Sequence, residues 1–309
     1  MTFITAGKFL MREIKVLHLE PTDVCQAKCP LCLRELDPGF RKDLKHHLRL
    51  EQIQAHISDQ VIAGLDKMFM CGVYGDPAAG YYTQDIYRYF RKINPGITLG
   101  MNTNGGLQST FWWRSLGKII NCHKDYCVFS IDGLEDTNHI YRKNVNWNTI
   151  MNNARAFIEA GGNAHWDMLV YEHNQHQVDA CEQLARDMGF RWFRAKISKR
   201  GFTDQLKAPI GWHLPPAKNE KIICHALKEE SMYINAQGQL FACCWLSGRQ
   251  PWLTDQHPNL VNDDIKTVSL TWNTDNPHPT CKNICSSNQV MTNFTDQWQR
   301  NIELCQPPL

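Results

Sequence analysis

"IKVLHLEP", residues 14–21, runs directly into "DVCQAKCPLCLRE", residues 23–35, and this pair decides how the rest of the chain reads. The first stretch is a short apolar run of strand type. The second sets Cys25, Cys29 and Cys32 at spacings of three and two intervening residues, with no fourth thiol beside them. A structural zinc site wants four nitrogen or sulfur ligands, usually as two close pairs. His46 and His47 lie downstream and offer a fourth ligand. A redox pair at Cys29 and Cys32 leaves Cys25 unexplained. A [4Fe–4S] cluster held by three thiolates leaves one iron open to a substrate or cofactor. The loop begins just past the first predicted strand, where parallel barrels place their active sites.

Strand-like and helix-like stretches alternate from there. Strands are expected over 14–21, 68–74, 97–103, 126–132, 165–171 and 190–197, and helices over 50–65, 83–93, 109–120, 148–160 and 176–188. Six strands separated by helices argue for a parallel sheet with right-handed crossovers. The expected fold class is α/β, divided as 1–200 and 201–309; closure of the sheet is not readable from periodicity. The boundary lies near the Pro- and Gly-rich "KAPIGWHLPPAKNEK", residues 207–221. Beyond it, 231–244 reads as two short strands around Gln237-Gly238. This segment has little core of its own and calls for a staple. Cys224, Cys243, Cys281 and Cys285 supply four thiols, which fit either zinc or a fully ligated iron–sulfur cluster. Cys244 and Cys305 are alternates.

The bulk numbers exclude some partners. The 309 residues carry a formal net charge of +2, which is no electrostatic footprint for nucleic acid or an anionic membrane. No apolar run reaches the length of a membrane span, and the N-terminus lacks a signal-peptide pattern. The expected compartment is the reducing cytosol, where thirteen cysteines are not expected to form disulfides. Cys71, Cys122, Cys127 and Cys181 read as small buried hydrophobes. Phe111, Trp112 and Trp113 read as core and outer helix contacts, and His139 as local packing.

The early thiol loop resembles the hallmark of the radical S-adenosylmethionine (SAM) superfamily, and later strand ends match it in order. "GVYGDP", residues 72–77, resembles the family's Gly-Gly-Glu-Pro segment, with Asp76 in place of Glu. "NTNG" spans 102–105, and "SIDGLEDTNHIYR", residues 130–142, is similar to the family's Ser-x-Asp-Gly pattern with a following Arg. Leu31 stands where the family usually has an aromatic residue, so it offers apolar contact without ring stacking. The resemblance implies that Cys25, Cys29 and Cys32 hold a [4Fe–4S] cluster with an open iron site. It implies that Leu31, Gly75, Asp76, Asn104, Ser130, Asp132 and Arg142 bind SAM. One electron would cleave SAM, and the resulting 5′-deoxyadenosyl radical would take a hydrogen atom from a substrate.

The run from Cys224 over Gly238 to Cys243 resembles the opening of SPASM and twitch domains. That implies an auxiliary [4Fe–4S] cluster on Cys224, Cys243, Cys281 and Cys285. The resemblance of the thiol loop and of the later cysteines together implies a partial parallel (β/α)6 TIM-like barrel with a small C-terminal iron–sulfur domain. Implied partners are a small-molecule or peptide substrate and a flavodoxin- or ferredoxin-type electron donor. No leader-gripping N-terminal domain is expected, which favours a small molecule or a peptide delivered by a separate protein. The competing expectations are a non-catalytic zinc-stapled binding protein and an RNA-modifying radical SAM enzyme. No motif assigns a catalytic acid or base.

Overall fold

The computed structural model describes residues 14–36, 44–198, 200–211, 222–247, 281–282, 285 and 302–304. Six strands lie side by side in chain order: β1 (Val16–Leu19), β2 (Lys67–Met70), β3 (Thr98–Thr103), β4 (Tyr126–Ser130), β5 (Ala164–Val170) and β6 (Trp192–Ile197). All are parallel to their neighbours. Parallel strands need crossover connections, and helices supply them. The sheet stays open, as a partial barrel does.

The helices are α1 (Leu33–Leu36), α2 (Leu50–Gln54), α3 (Asp59–Ala63), α4 (Thr83–Ile93), α5 (Thr110–Ile119), α6 (Glu135–Tyr141), α7 (Trp147–Glu159), α8 (Val178–Asp187) and α9 (His225–Lys228). Local chemistry sets their starts. Ser109 caps α5 by accepting from Trp112 N, and Asn146 caps α7 by accepting from Thr149 N. The single helix expected over 50–65 is two helices, because Ser58 adopts an extended conformation and caps a fresh start at α3. β2 ends at Met70 rather than near 74, because the chain turns there and gives the Tyr74 and Gly75 N–H groups to Glu20.

The core lies between the sheet and its helices. Trp113, Phe129, Phe157, Trp166 and Phe190 are fully buried there. Phe129 touches three of these rings, with centroids 5.1 Å from Trp113, 6.0 Å from Phe157 and 5.9 Å from Phe190. Asn153 of α7 is one of the buried polar residues. Its amide donates to the carbonyls of Gly105 and Leu107 at 2.9 and 3.0 Å, which pins the loop after β3.

β7 (Ser231–Ile234) and β8 (Leu240–Phe241) form the expected hairpin, but not apart from the barrel. β7 pairs in parallel with β1, from Val16↔Ser231 to Leu19↔Ile234. Without it, β1 would present an edge of unpaired N–H and C=O groups. At the other end, β9 (Ile302–Glu303) runs antiparallel to β6. Segments from beyond residue 200 therefore close both edges of the six-stranded sheet. Among the expected buried thiols, Cys127 and Cys181 are buried, while Cys71 and Cys122 are half-buried. Trp113 is core, Trp112 is half-buried and Phe111 is exposed. His139 is also exposed and contacts only the Glu135 carbonyl of its own helix.

Candidate active site

The thiol loop crosses the C-terminal ends of the strands and is tied down on three sides. Arg34 donates to the Tyr74 carbonyl at 3.0 Å, which joins it to the loop after β2. Gln26 donates to Asn104 Oδ1 at 2.7 Å, at the end of β3. Asn144 donates to the Gln26 carbonyl at 2.8 Å, and Lys28 N to the Lys143 carbonyl at 2.9 Å, which anchors the loop after α6. Three separate stretches of chain thus hold a segment with almost no secondary structure.

Each sulfur of the triad meets a nitrogen donor. Asn104 Nδ2 lies 3.5 Å from Cys25 Sγ, and Arg142 lies 3.9 Å from Cys29 Sγ. Arg200 hydrogen-bonds Cys32 and also donates to the Leu31 carbonyl at 3.2 Å. Burial pushes the Cys25 thiol up to about 12, and Asp76 adds to the effect. Burial also raises Cys29, against the pull of Arg142. Such thiols stay protonated until a metal replaces the proton, so metal binding here releases protons. The donor set suits an anionic iron–sulfur cluster: three thiols, N–H groups on the sulfurs and two guanidinium cations to offset charge.

The histidines offered as a fourth ligand have other partners. Among the described residues, no three His, Cys, Asp or Glu side chains are gathered so as to hold a metal ion. His46 Nδ1 pairs with Asp23 at 2.7 Å, and His47 stacks on Tyr81 with ring centroids 3.7 Å apart.

Asp132 is buried and holds Arg142 in place. One carboxylate oxygen accepts from Arg142 Nε at 2.7 Å and the other from Leu169 N at 2.6 Å. Ser130 ends β4 half-buried, opposite Asp167. Asn104 bridges the thiol loop and β3. These residues lie on one rim with the triad.

Three of the expected cofactor-binding residues also have partners within the protein. Asp76 accepts from Ala78 N at 2.9 Å, Thr103 Oγ1 at 2.8 Å and Asn104 N at 2.7 Å, which fixes Asn104 at the end of β3. Gly75 is demanded by packing: a Cβ there would stand 1.8 Å from the Thr22 carbonyl oxygen. The Leu31 side chain is buried in the main core.

Beyond the barrel, Cys224, Cys281 and Cys285 lie near enough to Cys243 to act on its thiol electrostatically. Burial raises the Cys243 thiol, and the neighbouring groups that add to this are Cys224, Cys285 and Cys281. Burial pushes Cys285 to about 12, with Cys281 and Cys224 adding to it. Cys244 instead packs with Tyr233 and Phe241. Cys305 lies outside the described residues.

A family model described as "Radical SAM superfamily" matches residues 19–184. The chain belongs to the radical SAM superfamily. Superfamily members use a [4Fe–4S] cluster and SAM. A GTP 3′,8-cyclase from Yersinia pestis is 34% identical over 110 residues, which cover 34% of this chain and 32% of that protein. The match thus spans about a third of that relative's length. Solved radical SAM structures share the fold. Streptococcus suis SuiB bound to S-adenosylmethionine aligns with a TM-score of 0.57 and 15% identity, over 83% of this chain and 67% of that one. The anSMEcpe enzyme with bound AdoMet and Cp18Cys peptide aligns with a TM-score of 0.53 and 14% identity, over 74% and 73%.

Several residues of this radical SAM site escape a sequence reading. Glu20 is buried, accepts from Tyr74 N and Gly75 N at 2.7 and 3.1 Å, and binds the Tyr233 hydroxyl at 2.5 Å. A carboxylate closing the apolar run "VLHLE" is a signal that could have found it. Gln26 and Arg34 sit within the loop itself. Arg200 follows β6 with nothing in its neighbourhood to mark it.

Proposed function

We propose that this chain reductively cleaves SAM and abstracts hydrogen from a small-molecule or peptide substrate seated over the barrel mouth, leading to oxidation or bond formation. Cys25, Cys29 and Cys32 would hold the open [4Fe–4S] cluster, and SAM would lie along the rim formed by 72–77, Asn104 and 130–142. When bound, this pair supplies a one-electron reduction and a 5′-deoxyadenosyl radical able to break an unactivated C–H bond. The protein's own residues do the positioning. Asp132 aims Arg142 at the thiol loop, Glu20 and Asp76 fix the loops after β2 and β3, and Arg142 and Arg200 offset negative charge.

A single observation carries this reading: every sulfur of the triad has a nitrogen donor, on a loop stitched to three strand-end loops. The convergence of Cys224, Cys243, Cys281 and Cys285 supports an auxiliary [4Fe–4S] cluster in a C-terminal part, 201–309, beside a barrel over 1–200. A flavodoxin- or ferredoxin-type protein is the proposed electron donor and the cytosol the proposed compartment. No helix among the described residues is long and apolar enough to cross a membrane. The known proteins suggest two kinds of substrate. SuiB has been seen with its precursor peptide SuiA and anSMEcpe with a Cp18Cys peptide, whereas the cyclase is named for a nucleotide.

Anaerobic reconstitution with iron and sulfide tests the reading. About eight irons per chain and 5′-deoxyadenosine on reduction are expected. A colourless protein carrying about two zinc ions and leaving SAM intact would overturn it.

A further inference from the structure

The open side of the sheet carries a row that starts at Ser130 on the SAM rim and continues into three charged residues, Asp167, Arg194 and Lys196, that the rim does not use. Along β5, Trp166 and Met168 belong to the helix-side core, so Asp167 between them faces the lumen. Along β6, Phe193 is in the same core, so Arg194 and Lys196 share the lumen face. The strand register places Ser130, Asp167 and Arg194 in one row across β4, β5 and β6, with Lys196 opposite Leu169, two residues nearer the mouth.

The geometry of the row is defined. Arg194 grips Asp167 with two parallel bonds, Nε to Oδ1 at 2.9 Å and a terminal nitrogen to Oδ2 at 2.6 Å. Lys196 Nζ bonds the same Oδ2. Arg194 and Asp167 are deeply buried, at 9% and 6% side-chain exposure, whereas Lys196 is 35% exposed. Lys196 is therefore the member of the row open to the mouth. It is also close to the cofactor rim: Leu169, its register partner, donates its N–H to Asp132, the carboxylate that holds Arg142.

Asp167 faces two cations, Arg194 and Lys196, while Asp132 is paired with Arg142. An ion cluster of this kind contributes little to folding, since apolar residues of similar size serve as well or better. Asp167 holds one of three Nζ–H donors of Lys196, and an ammonium offers the others to an acceptor from the mouth.

We propose that Lys196, braced by Asp167 and Arg194, forms an oxyanion-binding subsite that takes a carboxylate or phosphate group of the substrate. This rests on the radical SAM reading of the barrel, and it narrows the substrate class to molecules with an anionic group near the carbon that loses hydrogen. Lys196 anchors that group, and the buried Asp167–Arg194 pair keeps its stem upright in the lumen.

The test is calorimetric titration of the full-length, cluster-loaded, unreduced protein at low salt with three probes: inorganic phosphate, acetate and SAM. Saturable binding of phosphate or acetate is expected, and the tighter of the two reports which oxyanion fits. Lys196→Met should weaken that binding at least about tenfold, as loss of a charged hydrogen bond does. Lys196→Arg should retain most of it, and SAM affinity should stay within about twofold in both variants, which also shows that they fold. No saturable binding of either anion, or equal anion binding in Lys196→Met, overturns the proposal. A matching loss of SAM affinity also overturns it, because the subsite would then serve the cofactor's own carboxylate. None of these readouts requires SAM cleavage, so failure of the radical reading is seen separately, as a reduced protein that forms no 5′-deoxyadenosine.

Discussion

The two groups of thiols are built in opposite ways. Cys25, Cys29 and Cys32 are held by elements folded independently of any metal: the end of β3 through Asn104, the loop after α6 through Arg142, and the stretch after β6 through Arg200. Cys224, Cys243, Cys281 and Cys285 have mainly one another. Their surroundings are a one-turn helix, a short hairpin and a small apolar cluster of Ile222 and Cys281 with Leu246 and Cys285. The early thiols are tied to other elements, so a cluster there would add function to a structure already present. At the late thiols, the binding energy of a cluster would become folding energy, as in small metal-stapled domains.

The sharpest separation comes from removing one thiol at each site. Cys29→Ala should abolish 5′-deoxyadenosine formation while leaving the far-UV spectrum unchanged. Cys285→Ala should leave SAM cleavage measurable and lower bound iron from about eight to about four per chain. Equal loss of cleavage in both would break the contrast. Metal removal comes next. Chelation under reducing conditions should expose the region beyond residue 221 to limited proteolysis and leave the six-stranded sheet protected, as read by the fragment that survives.

Arg142 gives a smaller effect and addresses the early site alone. Arg142→Met leaves Asp132 buried without its cation, and breaking a buried pair from one side costs on the order of 3 kcal/mol. Urea denaturation of the metal-free protein measures it. A change near zero would mean that the triad's scaffold is not as independent as its hydrogen bonds imply.

The gentlest probe concerns the wall between the two sites. His18 donates from Nε2 to the Cys71 carbonyl at 2.6 Å and packs against Phe69 and Tyr233. Burial lowers its pKa to about 4, against a backbone hydrogen bond to Cys71 that raises it. Because the unfolded chain takes up this proton first, stability should fall as pH drops from about 6.5 to about 4, by on the order of 1 kcal/mol per unit. His18→Gln should flatten that slope without touching the iron content. An unchanged slope would mean that His18 is not buried neutral.

Legibility followed distance along the chain. The thiol spacing, the strand–helix alternation and the strand-end motifs are local, so the barrel and most of its rim were readable. What stayed hidden depends on residues far apart. Glu20 and Tyr233 meet across 213 positions, and each looks ordinary in its own surroundings. Asp76 and Gly75 read as ligand contacts because their motif resembles the family's Gly-Gly-Glu-Pro segment. The fold adds their contacts with Asn104 and Thr22, which the motif does not announce. The hairpin over 231–244 was visible as a hairpin, but its alternation of side chains does not say which edge it will pair with.

The alternation of strands and helices, the spacing of the thiol triad and the family were set by the sequence alone, because each rests on spacing within a few tens of residues. Which nitrogen faces which sulfur, which strand seals the edge of β1, and which lysine reaches the mouth were settled only by the folded chain. Hydrogen bonds and ion pairs act over about 3 Å in space, and only the completed sheet brings those partners within that range.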